Sequence, residues 1–403
     1  MTHSTNDTII RVAARGEGLT ADGRSAPLAA PGDTLTADGA VLPGPHHQVP
    51  PCRHFPTCGG CQLQHLDDAS YAQFIVDRIA GALAAHHLAT DIRAPQLSPP
   101  KTRRRAALQA ELKAGKVQIG FSENASHTLV DIYECWVLTP ELFAVIAPLR
   151  VLLAKFLRKN RRARLHLTQA DQGLDLLIEG IEAEGLDAAE AISAFALANN
   201  VARFAIDSGM GPEVRWEPEP VTVTLSGVPV PLPVAAFLQA TADGEGALIA
   251  AVRTATAGAA TIADLFAGLG TFTFALSAKV YAGEAARDAI LSLKGAAAQA
   301  RRPVFADHRD LYRRPLTTAE LDRFDAIALD PPRAGAREQA LLLAAAKVPT
   351  IAYVSCNPSS FARDAEEICK GGYTLDWIQP VGQFRWSTHV ELAAKFSRDT
   401  PPR

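Results

Sequence analysis

Apolar and polar positions are patterned differently in two parts of the chain. From about residue 235 onward, short apolar runs recur between helix-length segments: Thr261-Ile262-Ala263-Asp264-Leu265, Val280-Tyr281-Ala282, Ala326-Ile327-Ala328-Leu329 and Ile351-Ala352-Tyr353-Val354. Runs this short, bounded by turn residues, read as buried strands. Their alternation with helices predicts a parallel sheet covered on both faces. Upstream the period is two. Residues 107–112 and 117–121 alternate around Gly115-Lys116 and are expected to form a hairpin, with further strands and a helix over 164–206. Helices are expected over 71–88 and 140–158. The first 45 residues hold short stretches such as Thr8-Ile9-Ile10-Arg11-Val12 between turns at Gly16-Glu17-Gly18 and Pro31-Gly32-Asp33, the pattern of a small β-barrel. The expected organisation is a β segment over 1–45, a cysteine-rich stretch and helix over 46–90, a β-rich region over 91–235, and an α/β domain with a Rossmann-like sheet over 236–403.

Composition narrows the class. A chain of 403 residues, 48% of them hydrophobic, can bury more than one core. No apolar run approaches the ~20 residues that span a bilayer. The N-terminus lacks a signal-peptide pattern, so a cytoplasmic protein without a membrane partner is expected. The net charge of −3 argues against indiscriminate coating of nucleic acid. Two basic runs remain, Lys101-Thr102-Arg103-Arg104-Arg105 and Arg158-Lys159-Asn160-Arg161-Arg162-Ala163-Arg164. Each suits a phosphate backbone or a solvated face equally.

Candidate chemistry gathers at strand ends, where open α/β sheets bind ligands. Asp330-Pro331-Pro332-Arg333 follows one apolar run, and Ser355-Cys356-Asn357-Pro358 follows the next. A thiol there is a candidate nucleophile, which a following helix N-terminus would activate by lowering its pKa. Asp264-Leu265-Phe266-Ala267-Gly268-Leu269-Gly270 is a glycine turn at a strand-to-helix junction. Glu284, Asp307 and Asp330 close the strands that follow. This series of acids fits an adenosyl ligand, and the missing third glycine of the dinucleotide fingerprint favours S-adenosylmethionine over a nicotinamide cofactor. Cys52, Cys58 and Cys61 crowd together far from Cys356 and Cys369. In a cytosolic chain such clustering points to metal, and four thiolates can hold zinc or an iron–sulfur cluster. Cys369, between Ile368 and Lys370, reads as a packing residue.

Together these motifs resemble the S-adenosylmethionine-dependent RNA uracil-C5 methyltransferases, which make 5-methyluridine in ribosomal or transfer RNA. The resemblance is carried by Phe237-Leu238-Gln239, the Asp264–Gly270 turn, Asp330-Pro331-Pro332-Arg333, Ser355-Cys356-Asn357-Pro358 and His389-Val390-Glu391. Cys52, Cys58-Gly59-Gly60-Cys61, Gln64-His65 and Cys135 match the family's iron–sulfur branch, and residues 1–45 resemble its TRAM barrel. The chain departs from the family at Ala240-Thr241, where relatives often have a nearby Asn. It departs again at Phe384-Arg385-Trp386-Ser387-Thr388, where they carry a Met-Phe-Pro-type sequence.

The resemblance implies a definite chemistry. Cys356 would add to uracil C6, Glu391 would remove the C5 proton, and Asp330 would orient cofactor and base. Gln239, Phe266, Gly268, Gly270, Glu284, Asp307 and Asp330 would bind S-adenosylmethionine. Cys52, Cys58, Cys61 and Cys135 would hold a 4Fe-4S cluster. The expected partner is RNA, with 23S ribosomal RNA ahead of transfer RNA, acted on by a monomer. Phe384 and Trp386 are candidates for stacking on an unstacked base or for the core. A methyltransferase acting on an exocyclic amine is the competing reading; it would need an acidic Pro-Pro loop but no thiol.

Overall fold

The computed structural model describes residues 6–124 and 126–398. Residues 1–5, part of the N-terminus read above for a signal pattern, lie outside the described residues.

The expected parallel sheet is present. Its strands run in the order Val304–His308, Lys279–Glu284, Thr261–Leu265, Ala326–Leu329, Thr350–Ser355, Glu391–Ser397, Thr374–Gly382. The first five are parallel, and Glu391–Ser397 inserts antiparallel between Thr350–Ser355 and Thr374–Gly382. Strands such as Ala326–Leu329 are buried at every position, as the unbroken apolar runs require. One face packs on helices Asp68–Ala84, Arg337–Ala345 and Pro358–Lys370 through Phe74, Leu343, Phe361 and Ile368. The other packs on helix Ala242–Ala255 through Leu248 and Val252.

Residues 91–97 were grouped by sequence with the β-rich region. They add two short strands, Asp91–Ile92 and Gln96–Leu97, to the edge of the large sheet beside Thr374–Gly382. Two-residue strands are too short to show a period.

The β-rich region forms a seven-stranded sheet: Leu129–Asp131, Lys116–Ser122, Arg105–Lys113, Arg162–Ala170, Gly173–Glu179, Val201–Asp207, Pro212–Trp216. The expected hairpin pairs Lys113 with Lys116 across a two-residue turn, Ala114 and Gly115. Both turn residues have positive φ, +49° and +75°, as a type I′ turn demands. The expected helix over 140–158 is split into Pro140–Ala144 and Ile146–Leu153. Near the N-terminus, five short antiparallel strands surround Ile9, Ala26, Ala29 and Leu35. No helix among the described residues is long and apolar enough to cross a membrane.

Candidate active site

Strand register brings the predicted residues to one edge of the sheet. Ser355 lies opposite Leu392, so Cys356 leaves one strand beside Glu391, which begins its antiparallel neighbour. Leu329 pairs with Tyr353, which sets Asp330 on the other side of Cys356. Leu265 pairs with both Leu329 and Gly283, and Gly283 pairs with Asp307. Phe266, Glu284, Asp307 and Asp330 therefore form a row across four adjacent strand ends.

The loop after Thr261–Leu265 is shaped to admit a ligand. Phe266 has φ +62° and Gly268 φ +54°. A Cβ on Gly268 would meet nothing within 4 Å, so the loop is open there. Gly270 is different: with φ +99°, its Cβ would stand 2.6 Å from the Phe274 ring. Glu284 ties the loop to the next strand, accepting from Gly268 N at 2.9 Å and Ala286 N at 2.6 Å. Asp307 accepts from the Tyr281 hydroxyl at 2.6 Å. The strand leading into the loop carries Asp264, wholly buried, with one oxygen bonded to Thr273 and Oδ1 without a partner. Burial pushes its carboxyl up to about 7. Asp264 was read by sequence only as part of the glycine turn. Its signal was an acid inside an apolar strand.

Cys356 and its carboxylates interact electrostatically. Burial pushes Glu391 up to about 7 against the hydrogen bond from Gln383 and the charge of Arg105. Asp330 is raised well above the carboxylate range by desolvation, then by Glu391 and Asp264, against a hydrogen bond from Gln239. The Cys356 thiol is also raised, first by burial and then by Glu391 and Asp330. This corrects the expectation that the following helix would lower it. The helix starts at Pro358 with Asn357 as its cap, and the opposing pull of backbone and of Arg333 is smaller than the desolvation. Asn357 also locks the two loops together: its Nδ2 donates to Arg333 O at 3.0 Å.

Gln383 was missed by the sequence reading. It is 2% exposed. Its Nε2 donates to Glu391 Oε2 and, at 2.8 Å, to Gln239 Oε1; its Oε1 accepts from Ala240 N at 2.9 Å. Gln239 Nε2 in turn donates to Asp330 Oδ2 at 3.2 Å. Glu391, Gln383, Gln239 and Asp330 are one hydrogen-bonded chain.

The stacking candidates separate. Trp386 is 3% exposed, and its carbonyl accepts from Gln62 N and Leu63 N, so it is a core residue. Phe384 is half-buried beside His389 and the Arg103 guanidinium. The first basic run is largely internal. Arg104 pairs with Glu245 at 2.6 Å, and Arg105 lies over Phe237 at 4.3 Å. The second is balanced by glutamates: Arg158 by Glu182, Arg162 by Glu111 and Arg164 by Glu179. Cys369 packs against the core.

Cys52, Cys58, Cys61 and Cys135 line a single cavity walled by Phe55, Phe121 and Val137. All four thiols are raised by burial, Cys61 to about 12. No three His, Cys, Asp or Glu side chains among the described residues converge on one metal ion.

A model of the tRNA (uracil-5-)-methyltransferase family matches residues 235–398. An uncharacterized RNA methyltransferase of Zymomonas mobilis is 49% identical over 97% of this chain and 99% of its own length. The 23S rRNA (uracil(1939)-C(5))-methyltransferase of Chromohalobacter salexigens is 30% identical over 89% of this chain and 78% of its own. Among solved structures, the tRNA (uracil-54, C5)-methyltransferase of Pyrococcus abyssi, in complex with S-adenosyl-L-homocysteine, superposes with a TM-score of 0.75. The match covers 97% of this chain and 100% of the other at 21% identity, a likeness of fold.

Proposed function

Because the chain belongs to the RNA uracil-C5 methyltransferase family, we propose that it methylates C5 of a uracil in 23S ribosomal RNA, with Cys356 as nucleophile. The observation that carries this is the juxtaposition of Cys356 with Glu391 and Asp330 on three neighbouring strand ends. An amine methylase has no use for a thiol there.

S-adenosylmethionine, when bound, supplies an electrophilic methyl group. The open side of Gly268, the row Phe266, Glu284, Asp307 and Asp330, and Gln239 beside Asp330 fit such a donor. Cys356 adds as thiolate to C6 of an unstacked uracil, which makes C5 nucleophilic. C5 takes the methyl group as the methyl–sulfur bond breaks, its electron pair staying on the sulfur of S-adenosylhomocysteine. Glu391 Oε then accepts the C5 proton, and the thiolate leaves C6 as the double bond re-forms. A carboxyl near 7 suits this, since a base works best with a pKa near the ambient pH. Asp330, tied to Gln239, orients donor and base.

Ribosomal RNA is favoured over transfer RNA by the 30% identical relative that acts on 23S rRNA. Cys52, Cys58, Cys61 and Cys135 would hold a 4Fe-4S cluster. A zinc ion draws four sulfurs to about 2.3 Å of one point. A four-iron cluster binds each thiolate at a separate iron corner. Four thiols lining one cavity suit such a cluster.

The test is to map 5-methyluridine in ribosomal and transfer RNA with and without this gene, and to incubate the protein with 5-fluorouridine RNA. Loss of one ribosomal 5-methyluridine and a covalent complex that Cys356→Ala abolishes are expected. Full methylation by Cys356→Ala would overturn the reading.

A further inference from the structure

We propose that Gln383 is a positioning residue for the proton-abstraction step, holding Glu391 ionised and aimed with one oxygen toward the site. The proposal rests on the reading of Glu391 as the base.

The geometry fixes which way the amide faces. Gln383 Oε1 accepts from the backbone N–H of Ala240, which has no acceptor alternative. Nε2 must therefore face Glu391 and Gln239, and both bonds are donated. A donor to a buried carboxylate stabilises the ionised form. It also takes Oε2, leaving Oε1 for the ring proton.

The other groups facing Glu391 pull in different directions. Asp330 and Cys356 flank it from the neighbouring strand ends, and both are raised by its charge. Arg105, from strand Arg105–Lys113, is the cation acting on it. Arg105 lies over Phe237, and its Nε lacks a hydrogen-bond partner, so Gln383 is the group that bonds the carboxylate directly. Burial of Gln383 excludes water from substituting for it.

The same side chain joins two parts of the chemistry. Its bond to Gln239 continues to Asp330, so the base and the Asp-Pro-Pro-Arg loop share one scaffold. A methionine at 383 would keep the volume and remove every one of these bonds.

The experiment uses the full-length protein, total ribosomal RNA from cells lacking this gene, and methyl-labelled S-adenosylmethionine. In the reaction as written, loss of base function stalls the enzyme after methyl transfer, with Cys356 still bonded to C6. Gln383→Met is expected to accumulate a labelled covalent complex on a denaturing gel. The acidic limb of its single-turnover rate is expected to shift upward by about one pH unit, slowing the reaction roughly fivefold near neutrality. Binding of S-adenosylhomocysteine, which does not involve proton abstraction, checks that the variant is folded. Gln383→Glu, which replaces the donor by an acceptor, is expected to shift the limb further. A folded Gln383→Met with the wild-type pH profile and no labelled complex overturns the proposal. Glu391→Gln is the separate control: if it too accumulates no complex, the reading of Glu391 as base is what fails.

Discussion

Thr273 Oγ1 donates to Asp264 Oδ2 at 2.5 Å, while Asp264 Oδ1, wholly buried, has no hydrogen-bond partner. A buried carboxylate left half-satisfied costs about 1–3 kcal/mol or more. Functional sites are where such a cost is tolerated, because a ligand's donor can remove it.

The ammonium group of the methyl donor is the donor expected here. Burial raises the Asp264 carboxyl to about 7 from its ordinary 3.8. The protonated native form therefore adds stability that is complete below the unfolded value and is lost as pH rises through 7. A bound ammonium reverses this by favouring the ionised carboxylate. Affinity for S-adenosylhomocysteine should rise between about pH 6 and about pH 8, with proton release on binding. Asp264→Asn should weaken binding by about 10- to 100-fold and flatten that rise, the worth of one charged hydrogen bond. Calorimetry in buffers of different ionisation heat reads both. Unchanged affinity in Asp264→Asn would mean the orphaned oxygen does not serve the cofactor.

Cys356 is predicted to become a better nucleophile toward a small reagent when its partner base is neutralised. Burial raises the thiol first, and the charge of Glu391 comes next. Glu391→Gln removes that charge. Iodoacetamide should then alkylate Cys356 about two- to tenfold faster near pH 8.5, while RNA methylation falls. Slower alkylation in Glu391→Gln would show that Glu391 activates the thiol instead of opposing it.

Much of this site was legible in sequence because strand ends in a parallel sheet are marked by apolar runs. Asp330 and Cys356 each follow a run that is buried along its length, so their place at the sheet edge follows from the pattern. Gln383 was not legible. Its amide is fixed by Gln239 and Ala240, more than 140 positions earlier, and no period links two buried amides brought together by tertiary folding. The helix effect on Cys356 was misjudged for a related reason. A helix terminus is local and readable, whereas desolvation depends on what packs around the thiol. Arg103 and Arg105 looked like surface cations but are held against Phe384 and Phe237, which only the fold reveals.

The four cysteines around one cavity predict a brown protein when purified without air, carrying about four irons and four sulfides per chain. Cys135→Ser should lose the visible absorption although residue 135 is distant in sequence from the other three. A colourless protein with one zinc would replace the cluster by a structural zinc site.

The turn at Ala114-Gly115 holds an alanine at φ +49°, where Asn is favoured in a type I′ hairpin. Ala114 is exposed, so its side chain makes no contact that must be kept. Ala114→Asn should stabilise the protein by about 0.5–1 kcal/mol through relief of the left-handed strain. The urea midpoint should rise without change in methylation rate; a lower midpoint would mean the turn does not limit stability.

The pair Arg203–Asp175 should govern the stability of the β-rich region. Arg203 Nε and Nη2 reach Asp175 Oδ1 and Oδ2, both at 2.7 Å, and Nη1 donates to Leu232 O at 2.8 Å. Both side chains are 5% exposed. Burial pushes the Asp175 carboxyl up even against the guanidinium, so desolvation outweighs the pairing there. Asp175→Ala would leave the buried Arg203 with only Glu217, 3.8 Å away, as a counter-charge and should cost about 3–5 kcal/mol. Replacing both, Asp175→Leu with Arg203→Met, removes the buried charges together. It loses the bond to Leu232 O, about 1–3 kcal/mol, and the 3.8 Å ion pair of Arg203 with the half-buried Glu217, and regains apolar packing. Urea unfolding should therefore place the double variant above the single one. A double variant less stable than Asp175→Ala would show that the ion pair is a net stabiliser, and that Arg203 is held for its tie to the Leu232 segment.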